Sequence, residues 1–132
     1  MAGTFRCSIV TPAAAVFEGD VRYVSLPAWD GQTGVMAGRS PLLARLGIGA
    51  LRLDAVDGGE QWMMVDGGFA QMAGNELTIL TERAEPASAI DVDQAEEALE
   101  RANAEAVAGG MDRDQAEAAQ QRARTRVGLA RR

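Results

Sequence analysis

Asp30-Gly-Gln-Thr-Gly-Val-Met-Ala-Gly-Arg-Ser-Pro-Leu-Leu-Ala-Arg-Leu-Gly-Ile-Gly-Ala-Leu51 carries five glycines, Gly31, Gly34, Gly38, Gly47 and Gly49, together with Pro41. Glycine accepts positive φ or close backbone approach, while Pro41 fixes its own φ and biases Ser40 toward an extended conformation. No ordinary helix, strand or phosphate loop accounts for that density of turn residues. Leu42 and Leu43 follow the proline at once. A segment that turns repeatedly while displaying leucines suits the rim of a β-sandwich, where loops carry recognition on a rigid scaffold. The stretch reads as a docking surface.

The flanking residues agree with such a scaffold. Phe5, Cys7 and Ile9 alternate with Arg6, Ser8 and Val10 and read as a half-buried strand ending before Pro12. Val16-Phe17 and Val21 to Leu26 read as two more strands. Asp57-Gly58-Gly59 separates Leu51-Arg52-Leu53 from Trp62-Met63-Met64-Val65, and Gly74-Asn75 separates Phe69 to Met72 from Leu77 to Leu80. The second of these is a two-residue hairpin signal. Roughly eight to ten short strands without an intervening helix predict an antiparallel sandwich or barrel. Leu42, Leu43, Leu46, Ile48 and Leu51 serve either its interior or an apolar docking face.

After Pro86 the hydrophobic period changes from two to that of a helix. Asp91 and Asp112 are each followed three residues later by glutamine, Gln94 and Gln115, so each can cap a helix start, and Gly109-Gly110 lies between the two helices. Ala95, Ala98, Leu99, Ala102 and Ala106 form one shallow apolar stripe; Ala116, Ala119, Ala123, Val127 and Ala130 form the other. The expected class is therefore α+β: an antiparallel β-sandwich over residues 1–86, then an antiparallel helical hairpin over residues 87–132. A buried methyl contributes about 0.8 kcal/mol, so a seam made largely of alanines is worth only a few kcal/mol. Such a hairpin can undock without unfolding the sandwich.

All 13 basic residues are arginine, and the chain has no lysine and no histidine. A histidine base, a histidine metal ligand and a lysine Schiff base are thereby excluded. The lone Cys7 has no disulfide partner within the chain and sits among apolar strand residues, as core packing would have it. No metal and no cofactor is expected. Met1 to Ala15 has neither a signal-peptide pattern nor a membrane span, so the expected location is cytoplasmic unless a partner carries the protein to a membrane. A net charge of −6 argues against nucleic-acid binding. Residues 91–117 hold nine acids against Arg101 and Arg113, whereas residues 118–132 hold Arg122, Arg124, Arg126, Arg131 and Arg132 and no acid. The chain closes on a basic helix that can fold back on the acidic one or reach an acidic partner.

Val10-Thr11-Pro12, Phe17-Glu18-Gly19, Gly31-x-x-Gly34-Val35, Gly38-x-x-Pro41-Leu42-Leu43, Gly49, Gly67-Gly68-Phe69 and Ile90-Asp91-Val92 occur in one ordered series. In order and spacing the chain resembles, nearly end to end, the epsilon-subunit family of the bacterial F-type ATP synthase, called delta in mitochondria. The resemblance implies a non-catalytic rotor-stalk subunit on the cytoplasmic face of the inner membrane. Its sandwich would clamp the gamma subunit of the central shaft to the proteolipid c-ring, without direct membrane insertion. Trp29, Asp30, Gly31, Gln32 and Thr33 are then the ring-contact candidates, and Arg39, Pro41, Leu42 and Leu43 the shaft-contact candidates. Arg39 departs from the family, which usually has histidine there. The hairpin would be regulatory, with Arg122, Arg124 and Arg126 reaching the alpha/beta catalytic head, so that their removal would raise ATP hydrolysis.

Some members sense ATP through Ile-Asp-x-x-Arg-Ala. Ile90, Asp91 and Ala95 match that pattern and Arg101 is in register, so Glu85, Asp91 and Arg101 are the nucleotide candidates. Gln94 occupies the arginine position, however, and an amide does not replace a charge that must meet phosphate. Two alternatives thus stand beside the stalk reading: an ATP-sensing regulatory subunit, and a free-standing β-sandwich binding module with a helical oligomerisation tail.

Overall fold

A computed structural model describes residues 3–132. Nine strands precede two helices: β1 Phe5–Val10, β2 Ala15–Ala28, β3 Gly31–Met36, β4 Leu42–Arg45, β5 Ile48–Ala55, β6 Gly59–Asp66, β7 Phe69–Ala73, β8 Glu76–Leu80 and β9 Ala84–Pro86, then α1 Val92–Ala108 and α2 Arg113–Ala130. Hydrogen bonding follows the order β4-β7-β8-β1-β2-β5-β6-β9, with β3 also on β2. The result is a β-sandwich followed by a helical hairpin.

The segment from Asp30 to Leu51 is more regular than its glycines suggest, because β3, β4 and the first half of β5 run through it. Pairing with neighbours decides this. Gly34 lies opposite Ser25 in the β2–β3 ladder, and Gly49 opposite Val65 in the β5–β6 ladder. The two strands expected at Val16-Phe17 and Val21 to Leu26 are likewise one, since Glu18, Gly19 and Asp20 continue the ladder opposite Ser8, Cys7 and Arg6. β2 bonds to β1 through its first half and to β3 and β5 through its second, with a register shift between Val21 and Tyr23. Such a strand turns the corner from one layer to the other.

One pair departs from the antiparallel pattern. β1 and β8 run parallel, Cys7 opposite Leu77 and Ile9 opposite Ile79. They are far apart in sequence, so no tight turn forces the antiparallel sense. Between the layers, Phe5, Cys7, Ile9, Val24, Leu26, Val35, Leu51, Leu53, Val65, Met72, Leu77 and Ile79 close one continuous apolar core. Two turns need their residues. Gly74 and Asn75 both have positive φ, at 58° and 61°, as the two-residue hairpin requires. At Gly68 an added Cβ would stand 1.9 Å from the Leu80 carbonyl oxygen.

Asp91 caps α1, its Oδ1 accepting the Gln94 backbone N–H at 3.0 Å. Asp112 does not do the same for α2; its side chain makes no cap bond. Its carbonyl accepts the Ala116 N–H, and Asp114 supplies the negative charge of the first turn instead. The hairpin seats on the sandwich through a second apolar cluster, in which Met64 of β6 meets Ile90, Ala95, Val127 and Leu129. Leu129, absent from the alanine stripe, makes this seat firmer than methyl groups alone.

Candidate functional site

Three regions hold the candidate residues. The first is the β2–β3 turn. Trp29 is 70% exposed at its tip, beside exposed Asp30 and Gly31. Gln32 folds back onto its own sheet, donating from Nε2 to Ser25 Oγ at 2.7 Å, and Thr33 is half-buried. The tip therefore projects Trp29 and Asp30, with Gln32 and Thr33 bracing them. The Trp29 N–H donates to the Arg45 carbonyl at 2.9 Å, and Gly47 N–H to the Pro27 carbonyl at 2.8 Å, so the turn is bonded to the end of β4 and the link into β5.

The second region is the outer face of β4, β7 and β8. Leu42 and Leu43 part company, as adjacent strand residues must. Leu42, opposite Met72, packs on the core; Leu43, opposite Gln71, is 71% exposed. On the same face stand Phe69, paired with Arg45 and with Leu80, and Leu80 itself, both more than half exposed. Leu43, Phe69 and Leu80 thus form an apolar patch across three neighbouring strands, flanked by Arg45. Phe69 and Leu80 are not among the sequence candidates, although strand phase points to them: Ala70, Met72, Leu77 and Ile79 face in, so Phe69 and Leu80 face out. Arg39 and Pro41 are exposed in the loop at the opposite end of β4 from Trp29, a loop held by the Gly38 N–H donating to Asn75 Oδ1 at 3.4 Å.

The third region is a cleft of about 650 Å³ between β9, α1 and α2, lined among others by Arg83, Glu85, Arg101, Glu105, Arg122 and Arg126. Arg126 grips Glu85 with two bonds, Nε to Oε1 at 2.8 Å and a terminal nitrogen to Oε2 at 3.2 Å. That hydrogen bond raises the Arg126 pKa, burial works against it, and the charge of Glu85 adds to the rise. The guanidinium is always charged. Arg122 Nε donates to Asp66 Oδ2 at 2.7 Å. Arg83 and Arg101 have no ion-pair partner among the described residues. Glu85 and Arg101 are therefore brought together, whereas Asp91 is engaged as the α1 cap and lies outside the cleft. Gln94 is exposed. Spacing of four puts Arg122 and Arg126 on one helix face and leaves Arg124 exposed on another.

Cys7 is fully buried, and burial pushes its thiol pKa from 9.0 up to about 12. Among the described residues no cluster of His, Cys, Asp and Glu could hold a metal ion, and no helix is long and apolar enough to cross a membrane.

Comparison with known proteins places the chain in a family. Residues 4–87 match the family model of the ATP synthase Delta/Epsilon chain β-sandwich domain. The chain belongs to the ATP synthase delta/epsilon family. The ATP synthase epsilon chain of Rhodopirellula baltica is 42% identical over 99 residues, 75% of this chain and 77% of that relative. The epsilon chain of Alkalihalophilus pseudofirmus is 43% identical over 99 residues, 75% of this chain and 74% of that one. A chain of the Euglena gracilis mitochondrial ATP synthase, solved as an OSCP/F1/c-ring assembly, shares the fold with a TM-score of 0.81 at 24% identity, over 96% of this chain and 80% of that one. Another, from the central stalk and c-ring of the Tetrahymena thermophila mitochondrial enzyme, gives a TM-score of 0.66 at 15% identity, over 93% of each chain. As an epsilon-family member the protein is a non-catalytic subunit of the synthase complex.

Proposed function

We infer that this epsilon-family chain acts in the central stalk by clamping the gamma shaft to the loops of the proteolipid c-ring, so that proton-driven rotation reaches the catalytic head. The observation that carries the reading is the exposed apolar set of Leu43, Phe69 and Leu80 on the outer face of β4, β7 and β8. The largest exposed apolar patch of a protein is often a functional one. The direct backbone link of this set to the Trp29 turn adds a mechanical reason. The shaft contact at Leu43 on β4, with Arg39 and Pro41 in the loop before it, and the ring contact, Trp29 to Thr33, are joined through the end of β4. Torque applied at Leu43 reaches the turn through the sheet. Residues 1–86 would suffice for this role and residues 87–132 would regulate it, on the cytoplasmic face of the bacterial inner membrane. Affinity purification of the native protein is expected to recover gamma and the alpha and beta head subunits. Recovery of the protein alone, or only with copies of itself, would favour the free-standing binding module instead.

The arginine cleft supports a second reading, in which the hairpin also senses a nucleotide. Arg83 and Arg101, unpaired among the described residues, face a cleft that already contains Arg122 and Arg126, and a polyphosphate is the kind of ligand that satisfies such a set. Gln94 and the placement of Asp91 weigh against the Asp-and-arginine arrangement of ATP-sensing relatives. Calorimetric titration of the purified protein with ATP decides the point; absence of heat at millimolar ATP removes this reading and leaves the stalk reading intact.

A further inference from the structure

The hairpin rests on the sandwich mainly through its second helix, not the one that follows β9 in sequence. α1 reaches the sandwich through Ala95 and Leu99 at its beginning, where they join the cluster around Met64. α2 makes the main attachment, and it does so in two parts. Near its end Val127 and Leu129 fill the apolar seat with Met64. Earlier on the same helix, Arg122 and Arg126 reach acids of the sandwich itself, Asp66 at the end of β6 and Glu85 on β9.

These two ion pairs differ from the others of the hairpin. Their side chains are between 16% and 31% exposed, whereas Arg113–Glu117 and Arg131–Glu96 are 46% to 89% exposed. Exposed pairs contribute little, because water solvates both charges whether or not they meet. A shielded carboxylate deprived of its cation is left with an uncompensated charge, so removing one partner is felt strongly. The backbone that carries both acids is fixed by the sheet. The Asp66 N–H donates to the Arg83 carbonyl at 3.1 Å and to Oγ1 of Thr81 at 3.2 Å, and Thr81 is a buried hydroxyl that in turn donates to the Arg83 carbonyl at 3.3 Å. Glu85 sits within the β6–β9 ladder opposite Met64. The sandwich thus presents two carboxylates on a fixed backbone, and Arg122 and Arg126, four apart on one face of α2, meet them.

We propose that Asp66 and Glu85 form a latch on the sandwich that holds the hairpin down through Arg122 and Arg126, and that this latch sets how often the hairpin is released. The helices stay paired with each other on release, through their alanine seam and the bond from Gln120 Nε2 to Asn103 Oδ1 at 2.9 Å. The chain between β9 and α1, Ala87 to Asp91, is the pivot. Asp66 and Glu85 are positioning residues with no part in stalk docking, since neither lies on the β4-β7-β8 face or on the Trp29 turn. The inference rests on the reading of the hairpin as a movable regulator. It is tested on the isolated full chain, so its outcome is separate from that of assembly into the synthase.

The experiment compares hydrogen–deuterium exchange in the parent, in Asp66→Asn with Glu85→Gln, and in the charge exchange Asp66→Arg with Arg122→Asp. The double amide variant keeps side-chain shape and removes both charges. Its α2 amides are expected to exchange roughly tenfold faster or more, equivalent to about 1.4 kcal/mol in the docking equilibrium. Peptides of β1 and β8 should keep parental protection. The charge exchange should bring α2 back toward the parent, which a merely disturbed β6 would not do. Exchange of α2 within about twofold of the parent in the amide variant would overturn the proposal. So would failure of the charge exchange to restore protection, or loss of protection in β8 to the same extent as in α2.

Discussion

Leu42 and Leu43 are neighbours in sequence with opposite surroundings, and substituting each with aspartate separates fold from docking. Leu43 is 71% exposed and touches no core cluster, so a carboxylate there costs the isolated protein no more than about 0.5 kcal/mol, the usual range for surface positions. If that side chain is buried against the shaft, replacing it removes about 1.5–3 kcal/mol of apolar burial and adds the cost of a desolvated charge. Affinity should then fall at least tenfold, and about a hundredfold if Leu43 lies at the centre of the contact. Leu42 packs on the main core opposite Met72, so Leu42→Asp should lower stability by about 2–4 kcal/mol before any partner is involved. The assay pairs a thermal melt of each purified variant with co-purification of gamma from cells expressing it. Leu43→Asp melting with the parent but losing gamma, and Leu42→Asp melting early, is the expected pattern. A Leu43→Asp variant that binds gamma like the parent would refute the docking face. One that unfolds would refute the assignment of Leu43 to the outer surface.

Truncation after Ala87 is expected to leave a folded sandwich that still joins the synthase and supports coupled ATP synthesis, measured in inverted membrane vesicles; loss of assembly would count against placing both contacts before Pro86. The three tail arginines should act with opposite signs. Arg124→Ala, which removes the exposed cation free to meet the head, is expected to raise ATP hydrolysis by the assembled complex. Arg122→Ala with Arg126→Ala instead releases the hairpin from Asp66 and Glu85 and should lower hydrolysis; equal rates in all variants would mean that the hairpin does not restrain the enzyme. Gly68→Ala should cost about 3 kcal/mol or more in a denaturant melt, because its Cβ would meet the Leu80 carbonyl at 1.9 Å in a left-handed backbone. The Cys7 thiol, whose pKa rises from 9.0 to about 12 on folding, holds its proton more tightly in the native state than in the unfolded one. Its contribution to stability is therefore complete below pH 9.0 and declines as pH rises toward about 12. Cys7→Ala should show a shallower alkaline loss of stability than the parent, and parallel curves would contradict that burial.

The class of fold is legible in the linear chain. Alternation at Phe5, Cys7 and Ile9, the Gly74-Asn75 turn and the change of period after Pro86 are local signals, and local backbone preferences are what a linear sequence carries. The ordered motifs sufficed for the family for the same reason, since turn glycines and the Pro41-Leu42-Leu43 step are tied to fixed spacings. Arg122 and Arg126, four apart, share one helix face on spacing alone. What lay across the gap between elements could not be read. Whether Glu18-Gly19-Asp20 breaks a strand or continues one depends on β1 pairing with it. The parallel sense of β1 and β8 depends on a connection of more than sixty residues that leaves both directions open. The outward Phe69 and Leu80 become a patch with Leu43 only because β4, β7 and β8 are neighbours, and β4 and β8 are far apart in the chain. The same holds for the arginines. Composition showed that α2 is basic and α1 acidic, and suggested that the two would pair. Arg131 does reach Glu96 of α1, but Arg122 and Arg126 take Asp66 and Glu85, 56 and 41 residues away, and only packing of the helix against the sandwich could bring those charges within 3 Å of each other.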